Sequence, residues 1–286
     1  MRKRKIVRRF FFITLLGLIV WLLGIFYQHN MNANAFGVYA LNQLKQLIET
    51  KVDFEVLHQG TRDPISHQGW NDLLQQYVNV QGEVDYASWK KEPAGLQAYL
   101  DLLSQNPPTS SWSESEQLAY WINAYNAYTI ALVLDHYPLE SIKHIAGAIP
   151  FINSSFDVKF FEIGGFAFDL NTIEHQVLRA QFEEPRIHFA INCASFSCPR
   201  LLNEAYTADR LDAQLQAQAK EFINDPNKNK LAADQVALSM IFSWFEGDFT
   251  KKGSLVAFLN QYSETPIAIG AETSYLTYDW SLNEPK

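Results

Sequence analysis

The chain is poor in sulfur: it holds two cysteines and three methionines in 286 residues. The fold therefore cannot rest on a framework of disulfides. There is no second cysteine pair and no His-Glu-x-x-His, so the usual frames for a zinc ion are missing. Basic charge is scarce too, outside the first nine residues. Those nine carry six Lys or Arg, while the remainder holds 17 basic against 31 acidic side chains, a net of −14. A body that acidic offers no basic face to phosphates, which argues against a nucleic-acid partner. Internal repeats and low-complexity segments are also absent. What is present suits a packed core: 48% of residues are apolar and 14% aromatic.

One apolar run is long. Phe10 to Tyr27 is nearly unbroken and uncharged, and it follows Arg2, Lys3, Arg4, Lys5, Arg8 and Arg9. At 1.5 Å per residue it reaches roughly 27 Å, close to the hydrocarbon thickness of a bilayer. This predicts a membrane anchor over 10–27 that enters the lipid bilayer. The basic tail 1–9 is then cytoplasmic and the remainder lies outside, on the periplasmic side. The alternative is a signal peptide cleaved near Ala35, since Ala33-Asn34-Ala35 has the small-x-small form, which would release a secreted protein. The length of the run favours the anchor. Residues 28–69 read as a stalk, with helical spacing over Val38–Val52, and 70–286 as the compact domain.

Within that domain the spacing predicts helices over Trp70–Val78, Leu96–Leu103 and Glu114–His136. The last is the strongest. Ser113 and Glu116 form a capping box ahead of it, and it is apolar nearly all round, as a central buried helix must be. Gly164-Gly165 joins two strands, Phe156–Ile163 and Phe166–Leu170, in a hairpin. Asn171 and Glu174 suggest a second capping box for a helix over Thr172–Gln181. Thr207 is expected to cap a long helix ending near Asn224. Val236–Ser239 reads as a strand, Phe242–Phe249 as an aromatic turn and Ser254–Tyr262 as a last helix. Helices and short strands mix without a βαβ repeat, so the class is α+β.

Both cysteines fall in the stretch Arg186 to Arg200. Ile187, Phe189 and Ile191 alternate with His188, Ala190 and Asn192, which predicts a strand. Cys193 to Pro199 reads as a loop leaving it, a common place for reactive groups. Asn123 and Asn126 interrupt the apolar helix on one face. They either bond loop backbone or line a site beneath the Cys193 loop. Trp121, Trp244 and Trp280 read as core anchors, and Arg179 as the partner of a carboxylate.

Trp121-Ile-Asn-Ala-Tyr-Asn-Ala127, Ile173-Glu-His175, His188-Phe-Ala-Ile-Asn-Cys193 with Ser197-Cys-Pro199, Ser243-Trp-Phe245 with Asp248-Phe249, and Tyr278-Asp-Trp-Ser-Leu-Asn283 together resemble one family. It is the bacterial and plant family catalogued as domain of unknown function 547, and the resemblance runs from about Trp70 to Asn283. It implies no cofactor and little about activity. It does imply that the Asn, Glu-His, His and Cys-Cys positions belong to one shared site.

Three chemistries fit Cys193, Cys198, His175, His188 and Glu174. The cysteines can pair as a structural disulfide in an oxidising compartment. A cysteine can act as nucleophile, with His175 or His188 as base and Glu174, Asn123 or Asn126 orienting it. His and Cys can bind a metal, though the spacing fits poorly. The expected function is a Cys/His-site hydrolase or acyl transferase of the cell envelope. The alternative is a non-catalytic envelope binding module with a structural Cys193–Cys198 disulfide. No metal ligand set is assigned.

Overall fold

The computed structural model describes residues 52–145 and 154–285. The expected anchor, the basic tail, the Ala35 site and most of the stalk lie outside the described residues. Among the described residues no helix is long and apolar enough to cross a membrane.

The first core is built around one helix. Short helices α1 (Phe54–Leu57), α2 (Gln68–Tyr77), α3 (Tyr86–Trp89) and α4 (Ala94–Gln105) precede α5 (Glu114–His136). Every residue from Leu118 to Ile130 in α5 is buried. Ser113 starts α5 as expected: its hydroxyl takes the Glu116 N–H at 3.3 Å, and Glu116 takes the Ser113 N–H at 2.6 Å. Leu57 already packs in this core, ahead of Trp70. The hairpin β1 (Phe161–Ile163) and β2 (Phe166–Phe168) pairs Ile163 with Phe166 around Gly164-Gly165. Both glycines have positive φ, 61° and 82°, as a two-residue turn of this hand requires. Only Phe161–Ile163 of the longer expected strand is paired, because Ser155–Asp157 coils into a 3₁₀ turn.

The second core is aromatic. It gathers Phe189, Phe222, Phe242, Phe249 and Phe258 beside a small sheet. α7 (Leu211–Asn224), β3 (Lys230–Leu231), β4 (Gln235–Leu238), α8 (Ile241–Trp244), α9 (Glu246–Phe249), α10 (Leu255–Leu259) and β5 (Glu272–Tyr275) follow in order; α6 (Arg179–Gln181) belongs to the site described below. β4 lies between antiparallel β3 and parallel β5. All four residues of β5 are exposed, so no apolar alternation marked it in the sequence. The class is α+β.

Three local expectations are corrected. Residues 186–192 are not a strand: Pro185–Phe189 is a 3₁₀ turn started by Pro185 and capped by Glu184, which accepts the Arg186 N–H at 3.0 Å. The segment is buried on both sides from Ile187 to Asn192, so the alternation did not mark one wet face. Asn171 does not cap the next helix. Asp169 takes the Thr172 N–H at 2.6 Å, and Asn171 donates to Asp157 at 2.6 Å. α7 starts at Leu211 and not at Thr207, whose N–H donates to Gln214 at 3.1 Å.

Candidate functional site

Between these two cores lies a cleft of about 180 Å³. α5 contributes Tyr125 to it. The segment Thr172–Leu178, a π-helical stretch leading into α6, contributes Glu174 and His175. Within this stretch Arg179 N–H donates to the carbonyl of Glu174, five residues back. Such widened turns recur at functional sites because they re-aim side chains that a regular helix would direct elsewhere. His188 follows Ile187 of the first core and precedes Phe189 of the second, which places it at the seam. Both cysteines, Trp244, Phe245, Tyr278 and Trp280 complete the wall. Larger hollows of about 270 and 520 Å³ exist, the first on the other side of the cysteine loop and sharing Cys198 and Pro199 with the cleft, but neither is lined by a histidine.

Asp248 organises one side. It accepts from Arg179 Nε at 2.6 Å and from His188 Nε2 at 2.8 Å. Burial alone would raise its pKa, but these two bonds hold it well below the usual carboxylate range. Burial lowers the His188 pKa, and Asp248 only partly opposes this. His188 is therefore neutral at pH 7. A carboxylate only accepts, so Nε2 carries the proton and Nδ1 is a bare acceptor. Among the described residues Nδ1, although buried, has no hydrogen-bond partner. The ring lies flat on Phe245, with centroids 4.0 Å apart. His175 Nδ1 sits 3.0 Å from Arg179 Nη1. Arginine only donates, so His175 accepts at Nδ1 and keeps its proton on Nε2. Burial, reinforced by the Arg179 charge, pushes the His175 pKa down to about 4.

Glu174 behaves in the opposite way. Burial pushes its carboxyl up to about 7, against the nearby Arg179 charge and a hydrogen bond from Tyr125 Oη at 3.4 Å. Near pH 7 it is present in both protonation states.

The third wall is the cysteine loop. Cys193 and Cys198 form a disulfide, with Cα atoms 6.2 Å apart. Asn126 holds the loop's base: its Nδ2 donates to Ala190 O at 2.9 Å and its Oδ1 takes the Asn192 N–H at 2.8 Å. Asn192 in turn donates to Pro199 O at 2.7 Å. Asn123 makes the same two-bond clamp on Tyr206, at 2.8 and 3.0 Å. The C-terminal segment ties down the other edge through Phe196 N–H to Ser281 O at 2.7 Å and Asp279 N–H to Ser197 Oγ at 2.8 Å.

Residues 109–223 match the family model described as "Protein of unknown function, DUF547". The chain carries a domain of that family. No curated protein and no solved structure matches the chain. The DUF547 match stops before Ser243–Phe249 and Tyr278–Asn283. Yet Trp244, Phe245, Tyr278 and Trp280 from those motifs line the same cleft.

The candidate residues therefore divide. Glu174, His175, His188, Cys193 and Cys198 meet in the cleft, whereas Asn123 and Asn126 lie outside its lining and clamp backbone. Arg179 pairs with a carboxylate as expected, and that carboxylate is Asp248. Trp121 is a core anchor with no exposure, but Trp244 is 44% exposed at the cleft, contrary to the expectation for it. Sequence reasoning missed Asp248, Tyr125 and Tyr278 as parts of the site. All three stood in the family-like motifs, and that was their only signal. Among the described residues no three His, Cys, Asp or Glu side chains converge as a metal would require. The cleft can exchange protons near neutral pH, present aromatic faces, and offer a disulfide to whatever enters.

Proposed function

We propose that the cleft is the active site of a hydrolase or acyl transferase of the cell envelope, tethered to the membrane through residues 10–27. Its chemistry is carried by Glu174 and His188. While Cys193 is bonded to Cys198, no thiolate is available as nucleophile. The observation behind this reading is that Glu174, its pKa pushed up to about 7, shares the cleft with a neutral His188 whose Nδ1 is unpaired. An acid–base catalyst is most effective when its pKa lies near the working pH. Asp248 holds the His188 ring and its tautomer, as an orienting carboxylate does in other acyl-transfer sites. In this scheme His188 Nδ1 takes a proton from the attacking water or alcohol. Glu174 then donates to the leaving group.

The test is hydrolysis of ethyl acetate, whose alkoxide leaving group needs a proton, by the full chain as a function of pH, read by titrating the acid released. Turnover should show a limb near pH 7 that belongs to Glu174, and Glu174→Gln should cost at least ~100-fold in kcat/KM. Equal turnover in a folded Glu174→Gln protein, or none in the wild type, would count against the reading. A non-catalytic binding module is the second reading. It is favoured by Trp244, whose exposed ring stacks on Trp280 at 5.8 Å and offers an aromatic platform for a partner at the cleft.

A further inference from the structure

The acid–base scheme gives the Cys193–Cys198 bond nothing to do beyond shaping a wall. Its setting suggests more. The two sulfurs differ in access: Cys198 is 4% exposed, while Cys193 is partly open to the cleft. Each sulfur also has a hydrogen-bond donor in place. The backbone N–H of Cys193 points at Cys198 Sγ at 2.9 Å. Tyr278 Oη lies 3.3 Å from Cys193 Sγ and accepts from Ser195 Oγ at 3.3 Å, which leaves the Tyr278 proton free to donate to sulfur. The backbone beside Cys193 is strained as well. Ala194 has φ of 56°, a left-handed value that an alanine rarely adopts. Its N–H is held at 2.8 Å by Asn192 Oδ1. Strain of this kind persists where the surroundings over-determine it, commonly at sites of chemistry. Closing a loop requires neither the donors nor the strain.

We propose that Cys193–Cys198 is an exchangeable disulfide, and that the cleft performs thiol–disulfide exchange with a dithiol that enters beside Cys193. The substrate's first thiolate attacks Cys193 Sγ and forms a mixed disulfide. The Cys193–Cys198 bond breaks, and its electron pair leaves on Cys198 Sγ, where the Cys193 N–H receives it. The substrate's second thiolate then attacks its own sulfur in the mixed disulfide. Cys193 departs as a thiolate held by the Tyr278 hydroxyl. The substrate dithiol is oxidised to a disulfide, the protein pair is reduced to two thiols, and the substrate's two protons end on Cys193 and Cys198. A low-molecular-weight or protein disulfide running the same steps backwards restores the starting state. Glu174, in the same cleft, can relay the proton at each step.

This inference uses the cleft but does not rest on the hydrolytic reading. The full chain, oxidised and native at pH 7, is incubated with excess reduced glutathione, quenched with acid, alkylated with N-ethylmaleimide and weighed. Both cysteines should become labelled within minutes. Cys193 in Cys198→Ser should react with Ellman's reagent at least ~10-fold faster than Cys198 in Cys193→Ser, because the first is partly open to the cleft and the second is buried. A pair that stays oxidised for hours in native protein, yet reduces on unfolding, would overturn the proposal. So would the reverse order of reactivity. Ester hydrolysis is read separately on the oxidised protein. Hydrolysis beside an inert pair removes this proposal alone, and exchange without hydrolysis removes the earlier one alone.

Discussion

Glu174 is a carboxyl that folding carries out of water without giving it a contacting cation, and the cost appears as a pKa of about 7 against an ordinary 4.5. The native state therefore holds a proton that the unfolded chain has already released. Stability from this group is fully present below pH 4.5 and is lost as pH rises through 7. Glu174→Gln should accordingly raise stability at pH 8 by up to about 3 kcal/mol and change little at pH 4. His175 runs the other way. Its pKa is lowered from 6.5 to about 4, so the stability of its neutral form is complete above 6.5 and is lost as pH falls toward 4. In the wild type the two slopes oppose each other between about pH 4.5 and 6.5. Burial also lowers the pKa of His67, to about 4, and those of His188 and His58, so urea titrations should show stability falling on acidification in this range, and Glu174→Gln should steepen that fall. A variant curve parallel to the wild type would show that Glu174 ionises normally.

Elements of this protein are held by their polar ends and seams as much as by apolar faces. α5 has an apolar surface all round, so nothing in its own pattern sets which side meets which neighbour. Asn123 and Asn126 supply that register by bonding the backbone of Tyr206, Ala190 and Asn192. Asn126→Ala should leave one buried carbonyl and one buried N–H unpaired, at a cost of about 3 kcal/mol. Ser113→Ala, which loses an exposed cap, should cost about 1 kcal/mol. Equilibrium unfolding in urea separates the two. Equal losses would mean that the Asn126 clamp is satisfied by water and does not position the cysteine loop.

Across the whole molecule, the last ten described residues act as a strap. Asn283 accepts from Tyr86 Oη at 2.7 Å, and its carbonyl takes the Val84 N–H at 2.8 Å, 199 residues away in sequence. The same strap delivers Tyr278 and Trp280 to the cleft and pairs Ser195 with Leu282. Ending the chain after Thr277 should lower the melting temperature, since these contacts are lost. Hydrogen exchange should then rise at Phe196 and Ser197, whose N–H groups donate to Ser281 and Asp279. Unchanged exchange there would show that the loop stands without the strap.

Local signals sufficed where the information is local. Ser113 and Glu116 marked the start of α5, Gly164-Gly165 marked a hairpin, and the Cys/His/Asn clustering marked the neighbourhood of the site. They failed at His188, where burial from two sides imitated strand alternation, and at Asn171, where Asp169 reached the Thr172 N–H first. Only the tertiary structure decided that Asp248, 60 residues from His188, completes that histidine's hydrogen bond, or that Asn123 and Asn126 serve the backbone. The physical reason is one of range. Caps and turns are settled by neighbours a few residues apart, whereas a pKa, a tautomer or the partner of a buried amide depends on groups that meet only when the two cores close on each other.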